Sequence, residues 1–183
     1  NTNGSIMQVE FDGEFGNAVS NHNKDRAYIT GFTANYLGKI SNSWRTSGFI
    51  TYTKGKTCDT KEAMSSIPPL FGQFELNHKV DRFELGAAIR FNAKKNIKDF
   101  NITEGIDNHD LTPIVNENAT EEVLKYGGSP SWITAGLNFR FTVNDNFSVL
   151  ARLDNLLDQH YIEFASGVAS PGRNLSVSFM ANF

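Results

Sequence analysis

Apolar and polar residues alternate with period two along most of this chain, the pattern of strands with two unlike faces. The stretch NLSVSFMANF sets Leu175, Val177, Phe179, Ala181 and Phe183 against Ser176, Ser178, Met180 and Asn182. RAYITGFTANYLG places Tyr28, Thr30, Phe32, Ala34 and Tyr36 opposite Ile29, Gly31, Thr33 and Asn35. RFELGAAIRFN places Phe83, Leu85, Ala87, Ile89 and Phe91 opposite Arg82, Glu84, Gly86, Ala88, Arg90 and Asn92. WITAGLNFRFT and NFSVLARLD repeat the pattern, with Arg140, Arg152 and Asp154 on the polar side. Weaker alternation covers Met7 to Phe11, Trp44 to Thr53 and Phe74 to Val80. About eight strands are predicted on the period-two criterion. Helical spacing is confined to ATEEVLKYG, Ala119 to Gly127, with Asn118 as a possible cap.

The connections alternate between short and long. Turns are predicted around Ser41, Asp81 and Asp145. Between them lie Asp12 to Lys24, Gly55 to Ser66, Ala93 to Pro130 and Asn155 to Arg173, all long. A loop as long as Ala93 to Pro130 is usually functional or disordered. Placing every long loop at one end is the habit of an outer-membrane barrel, with short periplasmic turns and long extracellular loops.

The two faces point the same way. Lipid demands an apolar outer face and a closed, fully paired backbone. The charges on the opposite face would be costly in a packed sandwich core but suit a watery lumen. Trp44 and the tyrosines near strand ends suit interfacial girdles. The expected fold is therefore all-β: antiparallel transmembrane β-barrel strands. A soluble barrel with an apolar pocket and a self-contained eight-stranded outer-membrane barrel, structural or adhesive, are the alternatives.

Composition adjusts this picture only slightly. The chain has 183 residues, enough for one domain, and a net charge of -3, which gives no electrostatic case for nucleic acid. Phe occurs 15 times. The mean hydropathy of -0.36 reads as polar, as a barrel wall does when its faces average out. No apolar run reaches the ~20 residues of a membrane helix. The first residues carry no initiator Met and no basic-then-apolar leader, so a removed leader or a longer parent chain is expected. The single cysteine, Cys58, reads as a free loop thiol.

No nucleophile elbow, His-Glu-x-x-His or phosphate loop is present, so no enzyme is expected. Glu121 and Glu122 read as surface charges. Gly105 to Asp110 lacks the spacing and terminal Glu of a calcium loop. No cofactor is expected.

Leu153 to Phe183 carries Asn155, Leu156, Leu157, Asp158, Tyr161, Pro171, Gly172, Arg173 and Phe183 in that order. This stretch resembles the C-terminal end of TonB-dependent outer-membrane receptors. Asn23 to Tyr36 and the Ile-Pro-Pro stretch Ser65 to Leu76 resemble the same family, so the likeness covers nearly the whole chain. It implies that residues 1–183 are the C-terminal part of a receptor barrel, about the last third of 22 strands, with the plug domain absent. It implies location in the outer membrane of a Gram-negative bacterium. The implied function is active uptake of an iron chelate, haem or siderophore, or a similar scarce nutrient. The implied partners are the TonB energy-coupling system (through the missing plug), the barrel-assembly machinery, the lipid bilayer and a small-molecule ligand. Phe179 and Phe183 become the barrel-assembly signal, the last strand closing on the first. Histidine and tyrosine serve as haem ligands in some members, which makes His109, Tyr126, His160 and Tyr161 candidate contacts. His22, also expected in a loop, is an ordinary polar residue on this reading.

Overall fold

The computed structural model describes residues 5–11, 18–24, 26–101, 104, 112, 114–120 and 122–182. Nine strands run through these residues: β1 Ser5–Phe11, β2 Ala18–Lys24, β3 Ala27–Lys39, β4 Trp44–Thr57, β5 Phe71–Val80, β6 Phe83–Asn92, β7 Trp132–Asn144, β8 Phe147–Asp154 and β9 Asn174–Ala181. β3 to β9 form one antiparallel sheet in sequence order, and β1 pairs with β2 in a separate hairpin. Met7 to Phe11, expected as a strand, is therefore one, but it lies outside the large sheet. Its partner, β2, lies inside the segment read as a loop, with His22 opposite Met7. The sequence AVSNHNK lacks an apolar face, so period two leaves no trace there. The edges of the large sheet are β3 and β9.

Register fixes which side chains share a face. The row Asn35, Phe49, Gln73, Arg90 and Thr134 crosses five strands on one side. The row Ala34, Ile50 and Gly72 crosses on the other. Ladders are continuous except for an irregularity between Thr142 and Asn144. On the outward face, aromatic rings pair across strands: Trp44 stacks on His78 at 4.1 Å, Phe83 on Phe141 at 4.8 Å, and Phe147 on Phe179 at 6.3 Å. Many outward residues remain exposed, among them Phe179 at 71% and Leu175 at 65%. Such a face needs an apolar surrounding.

The turns at 40–43, 81–82 and 145–146 lie at one end of the sheet. The connections 58–70, 93–131 and 155–173 all lie at the other. The predicted alternation of short and long connections thus holds across β3 to β9, for three of the four long connections expected, while most of Asp12 to Lys24 is strand β2. The helix expected from Ala119 to Gly127 shrinks to one turn, α1 Glu122–Lys125. Asn118 does not cap it; the Asn118 N–H instead bonds Asn116 Oδ1 in a local turn. Within the described residues of the 93–131 connection, Lys95 and Ser129 exchange backbone bonds and Ile114 bridges Tyr126. No helix among the described residues is long and apolar enough to cross a membrane, which says nothing of a β-barrel.

Candidate functional site

The polar face of β5 to β9 is concave. Gln73 and Glu75 at one side and Asn174 at the other line a single cleft of about 560 Å³, which also takes in Glu84, Arg90, Arg140, Arg152 and Asp154. Its charges pair along the sheet: Arg152 Nε donates to Asp154 Oδ1 at 2.8 Å, and Gln73 Nε2 donates to Glu75 Oε1. Arg90 Nη2 reaches Glu163 Oε1 of the last long connection at 2.7 Å, with both side chains nearly half exposed. The inner face is not uniformly polar, however. Toward β3 it turns apolar, with Phe49 against Phe71 at 6.0 Å and with Ile29 and Leu37, the latter 86% exposed.

At the long-loop end the three connections share a small core. Lys95 is buried, 3% exposed, between the rings of Phe100 and Phe164 at 4.2 and 4.6 Å. Its Nζ donates to Glu104 Oε1 at 2.9 Å. The same oxygen accepts the N–H of Ser66 at 2.9 Å, and Glu104 Oε2 accepts that of Asn101 at 3.2 Å. Asn101 Nδ2 in turn donates to the Ala63 carbonyl at 2.8 Å. One carboxylate thus joins the 58–70 and 93–131 connections, and Lys95 meets the 155–173 connection through Phe164. Burying a cation demands such pairing, because an isolated charge in an apolar setting is strongly unfavourable. No spacing rule in the sequence marks Lys95 or Glu104: Ser66 lies 38 residues from Glu104, and Phe164 lies farther still from Lys95.

The residues of the C-terminal motif form a second knot. Asn155 is buried, with φ of 49°, a left-handed backbone that asparagine tolerates better than most residues. Its Nδ2 donates to the carbonyls of Gln159 and Pro171 at 2.9 and 3.1 Å, and its Oδ1 accepts the Gln159 N–H. Asp158 Oδ1 accepts the Arg173 N–H at 2.8 Å. Arg173 Nε donates to the Leu156 carbonyl at 3.1 Å. A Cβ on Gly172 would lie 2.9 Å from Asp158 Oδ1, so glycine lets the chain close. Tyr161 is buried with its ring 4.3 Å from that of Trp132 at the start of β7. Asn155, Asp158, Tyr161, Pro171, Gly172 and Arg173, from the two ends of one connection, thus clasp the ascent from β8 and the descent into β9 into one unit.

The candidate ligand contacts are not brought together. Tyr126 packs with Ile97 against Phe100 in the loop core. His160 is exposed beside the clasp. His109, like Phe183 and the segment 105–110, lies outside the described residues. Among the described residues no three His, Cys, Asp or Glu side chains group as a metal site. Cys58 is free and exposed.

No family model matches the chain, and no curated protein matches it. Solved structures do. A structure of the copper transporter OprC is 22% identical with a TM-score of 0.73, covering 99% of this chain and 27% of its own. A variant of the ferric enterobactin receptor PfeA from Pseudomonas aeruginosa is 19% identical with a TM-score of 0.68, covering 99% and 27%. The siderophore receptor PiuA from Acinetobacter baumannii is 16% identical with a TM-score of 0.58, covering 96% and 22%. The chain thus spans about a quarter of the length of these structures. At such identities the likeness is one of fold.

Proposed function

We propose, from the premise that this chain has the fold of the C-terminal barrel portion of a TonB-dependent receptor, that it is the closing wall and late loop cluster of such a receptor in a Gram-negative outer membrane. The observation that carries this reading is the sheet β3–β9 itself. It is apolar outward and charged on its concave side, with all three long connections of that sheet at one end. A soluble carrier would need its apolar face inward. A self-contained small barrel would need β3 bonded to β9, whereas the sheet is open between them.

On this reading the protein takes up a scarce chelate, a siderophore, haem or another metal complex, and does no covalent chemistry. The loop cluster at the long-loop end captures the ligand from outside. The mixed inner face, polar from β5 to β9 and apolar around Ile29 and Leu37, would pack against a plug supplied by a longer chain. Energy delivered through TonB would then move that plug. Phe179 and Phe183 would present the barrel-assembly signal. His109, Tyr126 and His160 stay as contacts to be tested, Tyr126 being less accessible than His160.

The test is excision of the loop tip. Ile114 and Tyr126 are already bridged, so a two-glycine link can replace residues 115–125 in the full-length protein without stretching the chain. Ligand capture by intact cells, measured with a panel of radiolabelled ferric siderophores and haem, should fall, while heat-modifiable barrel assembly in the outer membrane persists. Loss of membrane insertion, or unchanged uptake of every ligand the parent protein imports, would refute the role given to this loop.

A further inference from the structure

From Tyr28 to Ala181, the outward register positions of the seven-stranded sheet carry apolar, aromatic, small, hydroxyl or imidazole side chains, with one interruption. Lys54 and Lys56 are the only fixed charges at outward positions of β3 to β9. They follow Tyr52 at alternate positions of β4, opposite Thr30 and Tyr28. From Trp44 to Tyr52 the strand advances eight residue steps, about 26 Å at ~3.3 Å per step. At a barrel tilt near 40° that projects to roughly 20 Å, close to the ~25 Å of an apolar band. Lys54 and Lys56 then stand about 5 and 10 Å beyond the band's aromatic edge, on the long-loop side.

Neither lysine belongs to an ion pair among the described residues, where the pairs are Arg90–Glu163, Lys95–Glu104 and Arg152–Asp154. Arg26 is exposed one residue before β3, and its carbonyl is held 2.7 Å from the Cys58 N–H at the end of β4. Arg26 thus enters β3 at the end of the ladder where Tyr28 lies opposite Lys56. Asp59 and Glu62 lie in the following connection, not at outward strand positions.

We infer that Lys54, Lys56 and Arg26 form a docking patch for the phosphate groups of an anionic lipid in the leaflet at the long-loop end. The inference rests on the reading of this sheet as a membrane-spanning wall. A lone lysine at a membrane edge only needs to reach water. Two at alternate positions hold their Cα atoms about 7 Å apart, a span that two ammonium groups close around one phosphate. Charge complementarity selects the lipid: each basic residue near an anionic surface strengthens association severalfold.

The test uses the full-length protein, purified in a zwitterionic detergent and titrated with a bis-phosphorylated glycolipid while native mass spectrometry counts bound lipid. The same glycolipid stripped of its phosphates is the control. Wild type and K54R/K56R should retain the phosphorylated lipid. K54Q/K56Q should bind it on the order of tenfold more weakly, and K54E/K56E more weakly still. Equal retention by wild type and K54Q/K56Q, or equal binding of the two lipids, would overturn the patch while leaving the receptor reading intact. Absence of wild type from the outer-membrane fraction would overturn both.

Discussion

Removing the charge of Glu104 should open the loop cluster without touching the barrel wall. In Glu104→Gln, the buried Lys95 ammonium keeps the ring faces of Phe100 and Phe164 but loses its counter-charge. Each ring contributes about 0.5–2 kcal/mol to a nearby cation. Breaking a buried pair by neutralising one partner costs about 3–5 kcal/mol, so the rings do not compensate. The glutamine oxygen still accepts one N–H, but the carboxylate serves both Ser66 and Asn101, so one backbone donor is also left weakly bonded. At about 1.4 kcal/mol per factor of ten, local opening should become two to three powers of ten more frequent, until the cluster's own stability is exhausted. Hydrogen exchange on the full-length protein in detergent reads this directly. Amides of Ser66, Asn101, Lys95 and Ser129 should lose protection, whereas the β6–β7 ladder should not change. The double variant Lys95→Met, Glu104→Gln should recover most of the loss, since paired removal of a buried ion pair is often nearly neutral. Unchanged exchange at Ser66 and Asn101 in Glu104→Gln, or additive losses in the double variant, would refute the argument.

Asn155→Ala removes three buried hydrogen bonds and places alanine at φ of 49°, at a cost of about 2–4 kcal/mol. Assembly yield should fall, and Asn155→Gly should recover about 1 kcal/mol, because glycine takes that backbone freely. Phe179→Arg puts a charge on the lipid face and should cost about 2–4 kcal/mol in folding into bilayers if the residue lies near mid-depth, whereas Ser178→Arg, facing the concave side, should cost little. Arg90→Ala should change stability by no more than about 1 kcal/mol in denaturant titrations, because the Arg90–Glu163 pair is nearly half exposed and screened.

The wall of this fold is legible because two solvents write it. On the membrane-wall reading, lipid outside and water inside impose period two on each strand, so Phe83 to Phe91 and Leu175 to Ala181 announce both the strand and its outward face. β2 faces no such pair of solvents in its sequence and escapes the reading. Strand lengths are less visible, since β4 and β7 run past the alternating core of their segments to 14 and 13 residues. The motif from Asn155 to Arg173 is recognisable as a string of residues, but its work is hidden in donors and acceptors. That Asn155 holds Pro171 and Asp158 holds Arg173 follows only when the loop is folded. Lys95 and Glu104 carry no sequence mark because their environment is assembled from three separate connections.

On the proposed receptor reading, that assembly changes how ligand capture would be assigned. If each long connection were an independent finger, residues could be credited with binding loop by loop. Glu104 instead binds the backbone of the 58–70 connection while holding Lys95, and Lys95 rests on Phe164 of the 155–173 connection. Tyr161 and Glu163 of that connection further dock on Trp132 and Arg90 at the ends of β7 and β6. Segments tied in this way open together, as one cooperative unit. A substitution in one connection then alters the geometry of the other two, so a loss of uptake does not by itself place a residue at the ligand. Grafting the 93–131 connection alone onto a related barrel should leave Lys95 without Phe164 and Glu104 without the Ser66 N–H, a buried charge with half its partners. Transfer of specificity requires the three connections to move as a set.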